Sequence, residues 1–207
     1  MVEPDLAGAV AAGEFTPISL GPNCGPSKIL DRLGLRLGAF PFDWLYSSLA
    51  MVEHCLDDDF KTFLDPGQCE PLSRDKADQI NHRFYLETFN VVSVFNHHRM
   101  PKEMPHFVRA VDRFRTAPRP VFLHIVRQEP DAELLVRLRT KLRGALLVYV
   151  VDPKIRQAGF RDCGGVTMFK STAKFTPYGF QDSVDDAQFS ARLLGDLSRF
   201  MRDAPAQ

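Results

Sequence analysis

The chain predicts a single α/β domain of the three-layer, Rossmann-like kind: a mostly parallel sheet with helices on both faces. Three observations predict it. "VFLHIV" (Val121 to Val126) and "ALLVYVV" (Ala145 to Val151) are continuous apolar runs, the pattern of strands covered on both sides. Segments of helical periodicity alternate with such strands, which favours parallel pairing. The 207 residues, 44% hydrophobic, suffice for one sizeable core and are short for two.

The elements follow in order. Met1 to Glu14 is Ala/Gly-rich with acidic residues and lacks the basic and apolar regions of a signal peptide, so it reads as a loose tail before a domain spanning 15–203. Phe15 to Leu20 is a β-rich run that breaks at Gly21-Pro22-Asn23-Cys24-Gly25-Pro26. Pro26 suits a first helical turn, and Ile29, Leu30 and Leu33 share one helix face up to Gly34. Leu49, Val52 and Leu56 mark a second helix, after the aromatic cluster "FPFDWL". Residues 65–80 are polar and turn-rich and read as a loop. "VVSVF", Val91 to Phe95, is short and β-branched and reads as a strand. Met104, Phe107, Val108, Val111 and Phe114 predict a helix before the apolar run at 121–126, and Leu134, Leu135, Leu138 and Leu142 another after it. "VTMFK" (Val166 to Lys170) is a weaker strand, and Leu193, Leu194, Leu197, Phe200 and Met201 close the chain as a helix.

Formal net charge is zero, which gives no global attraction to nucleic acid or membrane, and no run of about 18 apolar residues exists for a transmembrane helix. The four cysteines, Cys24, Cys55, Cys69 and Cys163, lack metal-knuckle spacing, so neither metal nor cofactor is expected. Without a secretion signal they read as reduced thiols of a cytoplasmic protein. Cys55 falls in an apolar helix pattern as a core thiol. Arginines are dense from Arg109 to Arg143, mostly on polar helix faces.

Sites in parallel sheets form outside the carboxyl ends of strands. Asn23-Cys24, Asn96-His97-His98, Arg127 and Asp152 all stand at predicted strand ends and are candidates for one rim. Cys24 lies at a strand–helix corner, where a helix N-terminus lowers a thiol pKa and offers amides, at Gly21, Asn23 and Gly25, to an oxyanion. The competing reading is a small thiol filling a tight turn. A nucleophilic Cys requires an imidazole, and of His97 and His98 only one faces the site if the backbone stays extended. His124, inside an apolar strand, reads as a core histidine. Asp152 orients the base or caps the turn at Asp152-Pro153. Asp43 and Trp44 serve either substrate binding or local structure, and Arg127 either holds an anionic group or pairs at the surface.

These residues also carry a resemblance. Ser19-Leu20-Gly21 with Cys24, Asp43-Trp44, Asn96-His97, the helix Phe107 to Phe114 and Val126-Arg127 resemble the motifs of a mostly bacterial family labelled as papain-like cysteine peptidases. Tyr178 to Asp182 resembles an aromatic-x-Gly-x-Asp motif with the glycine one place earlier, so the resemblance runs from about residue 17 to about residue 200. His98 departs from the acidic residue expected there in relatives. The resemblance implies Cys24 as nucleophile and His97 as general base, with Asp152 or Asp182 orienting the base and Asp43, Trp44, Asn96, His98 and Arg127 near the substrate. It also implies a papain-like α+β fold, the alternative to the Rossmann-like reading. The function it implies is a Cys-His hydrolase or acyltransferase acting on a small-molecule, peptide or carrier-bound acyl substrate. The rival is a carbohydrate or nucleotide-sugar protein that holds an anion at the same corner, with Cys24 merely small.

Overall fold

A computed structural model describes residues 5–73, 79–154, 159–171, 174–176 and 179–203. Leu6–Ala11 (α1) precedes Thr16–Ser19 (β1), Gly25–Arg32 (α2) and Leu49–Asp57 (α3). A small antiparallel ladder follows, Cys69–Pro71 (β2) with Ile80–His82 (β3), then helices Arg83–Phe89 (α4) and Met104–Thr116 (α5). Pro120–Val126 (β4), Ala132–Lys141 (α6) and Ala145–Val151 (β5) alternate regularly. Gly159–Cys163 (β6) and Val166–Lys170 (β7) form a hairpin, and the short pair Phe175–Thr176 (β8) and Gly179–Phe180 (β9) leads into the closing helix Ser183–Asp203 (α7).

The main sheet has five strands in the order β1-β4-β5-β7-β6, all parallel neighbours except the antiparallel β6–β7 pair. Alternation along the strands sends side chains to two cores. Phe122, Val148, Val150, Val166 and Met168 pack with α3, α5 and α6, around the rings of Phe42, Phe60, Phe63, Phe107 and Phe114. Val121, Leu123, Ile125, Tyr149 and Phe169 pack with α1, α2 and α7. This is the α/β layer architecture with helices on both faces that the apolar runs predict, and not the papain-like α+β alternative. The parallel strands run in one direction from β1 at the edge, and only the antiparallel β6 lies beyond its successor β7, so the parallel part of the sheet has no point of reversal of the kind that creates a dinucleotide crevice.

Local signals explain the helix starts. Ser48 Oγ accepts the Met51 N–H at 3.2 Å before α3, and Asp131 Oδ1 accepts the Leu134 N–H at 2.8 Å before α6. The "FPFDWL" cluster is hydrophobic because Phe40, Phe42 and Leu45 are buried where the chain passes from the α2 side of β1 to the α3 side.

Three sequence expectations need correction, and one strand goes unread. The described part of the expected tail contains α1, capped by Asp5, whose Leu6, Ala9 and Val10 are buried in the same cluster as Leu193 and Leu197 of α7. Its small apolar residues reflect helix packing. The stretch 65–80, read as loop, contributes to the β2–β3 ladder. Val91 to Phe95 is not a strand: Asn90 (φ 54) ends α4 in the left-handed region, Ser93 is also left-handed (φ 55), and only Phe95 makes a bridge, to Ile80. Val91, Val94 and Phe95 are apolar because they are buried, not because they extend. The edge strand β6 escapes the periodicity because "GFRDC" is largely solvent-facing.

Candidate active site

The turn between β1 and α2 is over-determined by its neighbours. Leu20 N–H still bonds to Leu123 O at 2.8 Å on β4. Gly21 then takes φ +84, and a Cβ there would stand 2.0 Å from Ser47 Oγ, which donates to Leu20 O at 2.9 Å. Ser47 N–H donates to Pro22 O at 3.1 Å, Ser19 Oγ accepts the Gly21 N–H at 3.1 Å, and Asn23 Oδ1 accepts the Gly25 N–H at 2.8 Å. Gly25 has no room for a Cβ, since Phe175 Cζ would lie 2.8 Å away.

Cys24 is the N-cap residue of α2, and its thiol makes no capping bond. It is 7% exposed. Burial pushes its pKa above the usual cysteine value, with Asp43 adding to the rise, while Lys28 and the Cys24 amide pull the other way. The thiolate-favouring pull expected from the helix end is therefore outweighed by desolvation. The group rests as a thiol and needs a base to react. Of the amides read as oxyanion donors, those of Gly21 and Gly25 are engaged by Ser19 and Asn23. The Asn23 and Cys24 amides donate to no other residue among the described residues, the Cys24 amide facing its own thiol.

Asp43 sits beside this turn but faces inward. Its carboxylate accepts from Arg36 Nε and Nη2 at 3.1 and 3.0 Å, from the Phe40 N–H at 2.9 Å and from Ser27 Oγ at 3.1 Å. It is 2% exposed, and burial pushes its pKa up against the pull of Arg36. Trp44 carries Lys28 and Arg36 over its ring, at 5.8 and 5.3 Å from the centroid. The pair thus fixes α2 to the 40–47 segment.

The histidine motif lies on the turn after α4. His97 is exposed, and its Nε2 meets Asn96 Nδ2 at 3.1 Å. It is not in hydrogen-bond contact with Cys24. The two turns are nonetheless tied together, because Tyr46 N–H donates to Val94 O at 3.1 Å while the next residue, Ser47, holds Pro22. His98 points elsewhere, bonded to Glu103 at 2.8 Å and packed against Phe107 and His106. His124 of β4 lies under the corner, near the Leu20 and Gly21 backbone. It is fully buried, its Nδ1 has no partner, and burial lowers its pKa to about 4, so the ring is neutral.

Along the carboxyl rim, a cavity of about 620 Å³ is lined by Pro22, Asn23, Arg127, Lys174 and Phe175, among others. A neighbouring one of about 570 Å³ shares Arg127, Lys174 and Phe175 and reaches Asp152 and Lys154. The structure therefore brings Asn23, Arg127 and Asp152 to one rim. Arg127 Nη2 donates to Phe175 O at 2.8 Å. Asp152 Oδ1 accepts the Lys154 N–H at 2.8 Å, the capping role expected of an Asp-Pro turn. Asp182 lies off the rim and caps α7, accepting the Val184 and Asp185 amides at 2.8 and 3.1 Å. Tyr178 of the tail motif lies outside the described residues. Lys154, Lys174 and Phe175 were not singled out in the sequence. Only Lys154, two residues past a strand-end aspartate, carried a local signal. Among the described residues no cluster of His, Cys, Asp and Glu could hold a metal ion, and no helix is long and apolar enough to cross a membrane.

A cysteine held rigidly at a strand–helix turn, beside a groove on the carboxyl rim of an α/β sheet, defines a cysteine-centred class of α/β protein. The chain belongs to the family described as "Putative papain-like cysteine peptidase (DUF1796)", whose sequence model matches residues 16–135. That description is of a cysteine-dependent hydrolase, and the match spans the Cys24, Asp43-Trp44, Asn96-His97 and Arg127 motifs. No curated protein and no solved structure matches the chain significantly.

Proposed function

We propose that the protein is a cysteine-dependent acyl hydrolase with Cys24 as nucleophile and His97 as general base. The observation that carries this reading is the placement of Cys24: a helix-capping cysteine with no structural hydrogen bond, in a turn held on all sides, adjoining the rim groove through Asn23. The imidazole takes the thiol proton as sulfur attacks the acyl carbon. The C–N or C–O bond to the leaving group breaks, and the leaving group takes that proton from the imidazolium. Water, deprotonated by the same imidazole, then cleaves the thioester and restores the thiol. The Asn23 and Cys24 amides are the pair left to hold the oxyanion. His97 sits on a turn tied to the Cys24 turn through Tyr46 and Ser47, and catalytic hydrogen bonds commonly tighten only around substrate. A raised thiol pKa fits a nucleophile that depends on its base. Asp152 lies on the rim, where its carboxylate holds the Lys154 amide.

The test is labelling with a thiol-directed acyl probe, read by peptide mass spectrometry in a Cys163→Ser background, because Cys163 is exposed. The reading expects labelling at Cys24 that vanishes in Cys24→Ala and falls by about two to four orders of magnitude in His97→Ala. Equal labelling of the wild type and Cys24→Ala would sink it. Extension to acyl transfer rests on water being replaced by another nucleophile, and is tested by adding amine or alcohol acceptors to the same assay.

A further inference from the structure

The rim groove contains cations that the fold does not neutralise. Arg127 is exposed and is latched by one backbone carbonyl, that of Phe175. Lys154 and Lys174 are exposed on the same cavity walls. None of the three forms an ion pair among the described residues, although Asp152 lines the same cavity and many other arginines of the chain are paired. The rest of the lining combines the apolar Pro22, Ile125, Val126 and Phe175 with the polar Asn23, Gln128 and Thr176.

We propose that this groove binds the free α-carboxylate of a peptide substrate, with Arg127 as the principal contact and Lys154 and Lys174 flanking it. The placement of the scissile bond rests on the reading of Cys24 as nucleophile; the anion site rests on the groove alone. Set against Asp152, the three cations leave the groove with an excess of positive charge that an anionic substrate group offsets. The apolar floor suits the side chain of a terminal residue.

Geometry sets the length. Cys24 follows β1 and Arg127 follows β4, neighbouring parallel strands whose carboxyl ends share one rim. β5, with Lys154 beyond it, is one strand further. A peptide advances about 3.5 Å per residue. The carboxylate therefore lies within a few residues of the bond at Cys24, and cleavage releases a short C-terminal fragment.

Calorimetric titration of the Cys24→Ala protein with N-acetyl-dialanine, its C-terminal amide and inorganic phosphate tests the site apart from catalysis. The free acid should bind about tenfold or more tightly than the amide, the scale of one charge-assisted hydrogen bond. Lys154→Ala and Lys174→Ala, both exposed, should each weaken the acid and leave the melting temperature unchanged. Arg127→Ala should weaken it most, with partial recovery in Arg127→Lys. Equal binding of acid and amide, indifference to all three cations, or tighter binding of phosphate than of the acid would overturn the proposal. Because Cys24 is absent in this assay, binding without any Cys24-dependent cleavage in the wild type would retire the nucleophile reading and leave the carboxylate site standing.

Discussion

The Cys24 turn and the His97 turn carry the two polar segments on which the proposed chemistry rests, yet they are built in opposite ways. Around Cys24, Ser19, Ser47 and Asn23 each take a hydrogen bond with the turn, Gly21 fills a space no Cβ fits, and Asp43 anchors the adjoining segment through Arg36. Around His97, the ring faces solvent and its one hydrogen bond among the described residues is to Asn96. A nucleophile gains from fixed geometry, because its attack angle and its oxyanion amides must stay in register. A base is useful only when it reaches that nucleophile, and a loosely held ring is free to do so as substrate binds. The difference predicts that substitutions near Cys24 act on folding, and that those near His97 act on chemistry alone.

The largest expected effect is at Asp43. Asp43→Asn leaves Arg36 without its carboxylate in a buried setting, and should lower stability by about 3–5 kcal/mol in denaturant unfolding. A loss under about 1 kcal/mol would show that the Cys24 side is less rigidly built than described. Next is the pH response of His124. Its folded pKa of about 4 lies below the ordinary value of about 6.5, so the unfolded chain binds a proton that the folded chain refuses. Its contribution is full above about pH 6.5 and is lost as pH falls toward 4, at most about 3 kcal/mol. His82 shifts in the same direction. The measurement is therefore the difference between wild type and His124→Gln: the variant should show a shallower loss of stability between pH 6.5 and 4. Identical slopes would mean that His124 is not held neutral under the corner.

Gly21→Ala comes third. With φ +84 and Ser47 Oγ in the way, it should destabilise by about 1–3 kcal/mol, and Ser47→Ala in the same chain should recover part of that by clearing the space. No recovery would place the strain in the backbone rather than in the contact. The smallest effect on folding is that of His97→Ala, within about 0.5 kcal/mol, as for an exposed side chain without a structural role. Its effect on Cys24 labelling should be the greatest of the four. A destabilised His97→Ala protein would blur the contrast between the turns.

Much of this was legible in residue order. The apolar runs of β4 and β5, the amphipathic α5 and α6, and the Gly-Pro-rich break before α2 each state a local preference that burial then satisfies. Val91 to Phe95 shows where that logic stops. Its β-branched residues satisfy a strand pattern, but Asn90 and Ser93 bend the backbone, and the side chains are buried against a helical layer instead. Short apolar runs carry no information on what will cover them. Asp43 shows the same limit in the site: a carboxylate beside a tryptophan is equally suited to substrate or to structure, and only Arg36, seven residues away, makes it structural.

By itself the sequence determined the layer architecture and the strand–turn–helix setting of Cys24, because hydrophobic period, glycine and proline act within a few residues. Tertiary structure alone decided the one-directional strand order, the burial that raises the Cys24 thiol, and the meeting of Arg127, Lys154 and Lys174 on one rim. Those depend on which distant segments lie side by side. Desolvation and groove electrostatics are sums over neighbours in space, and neighbours in space are not spelled out in residue order.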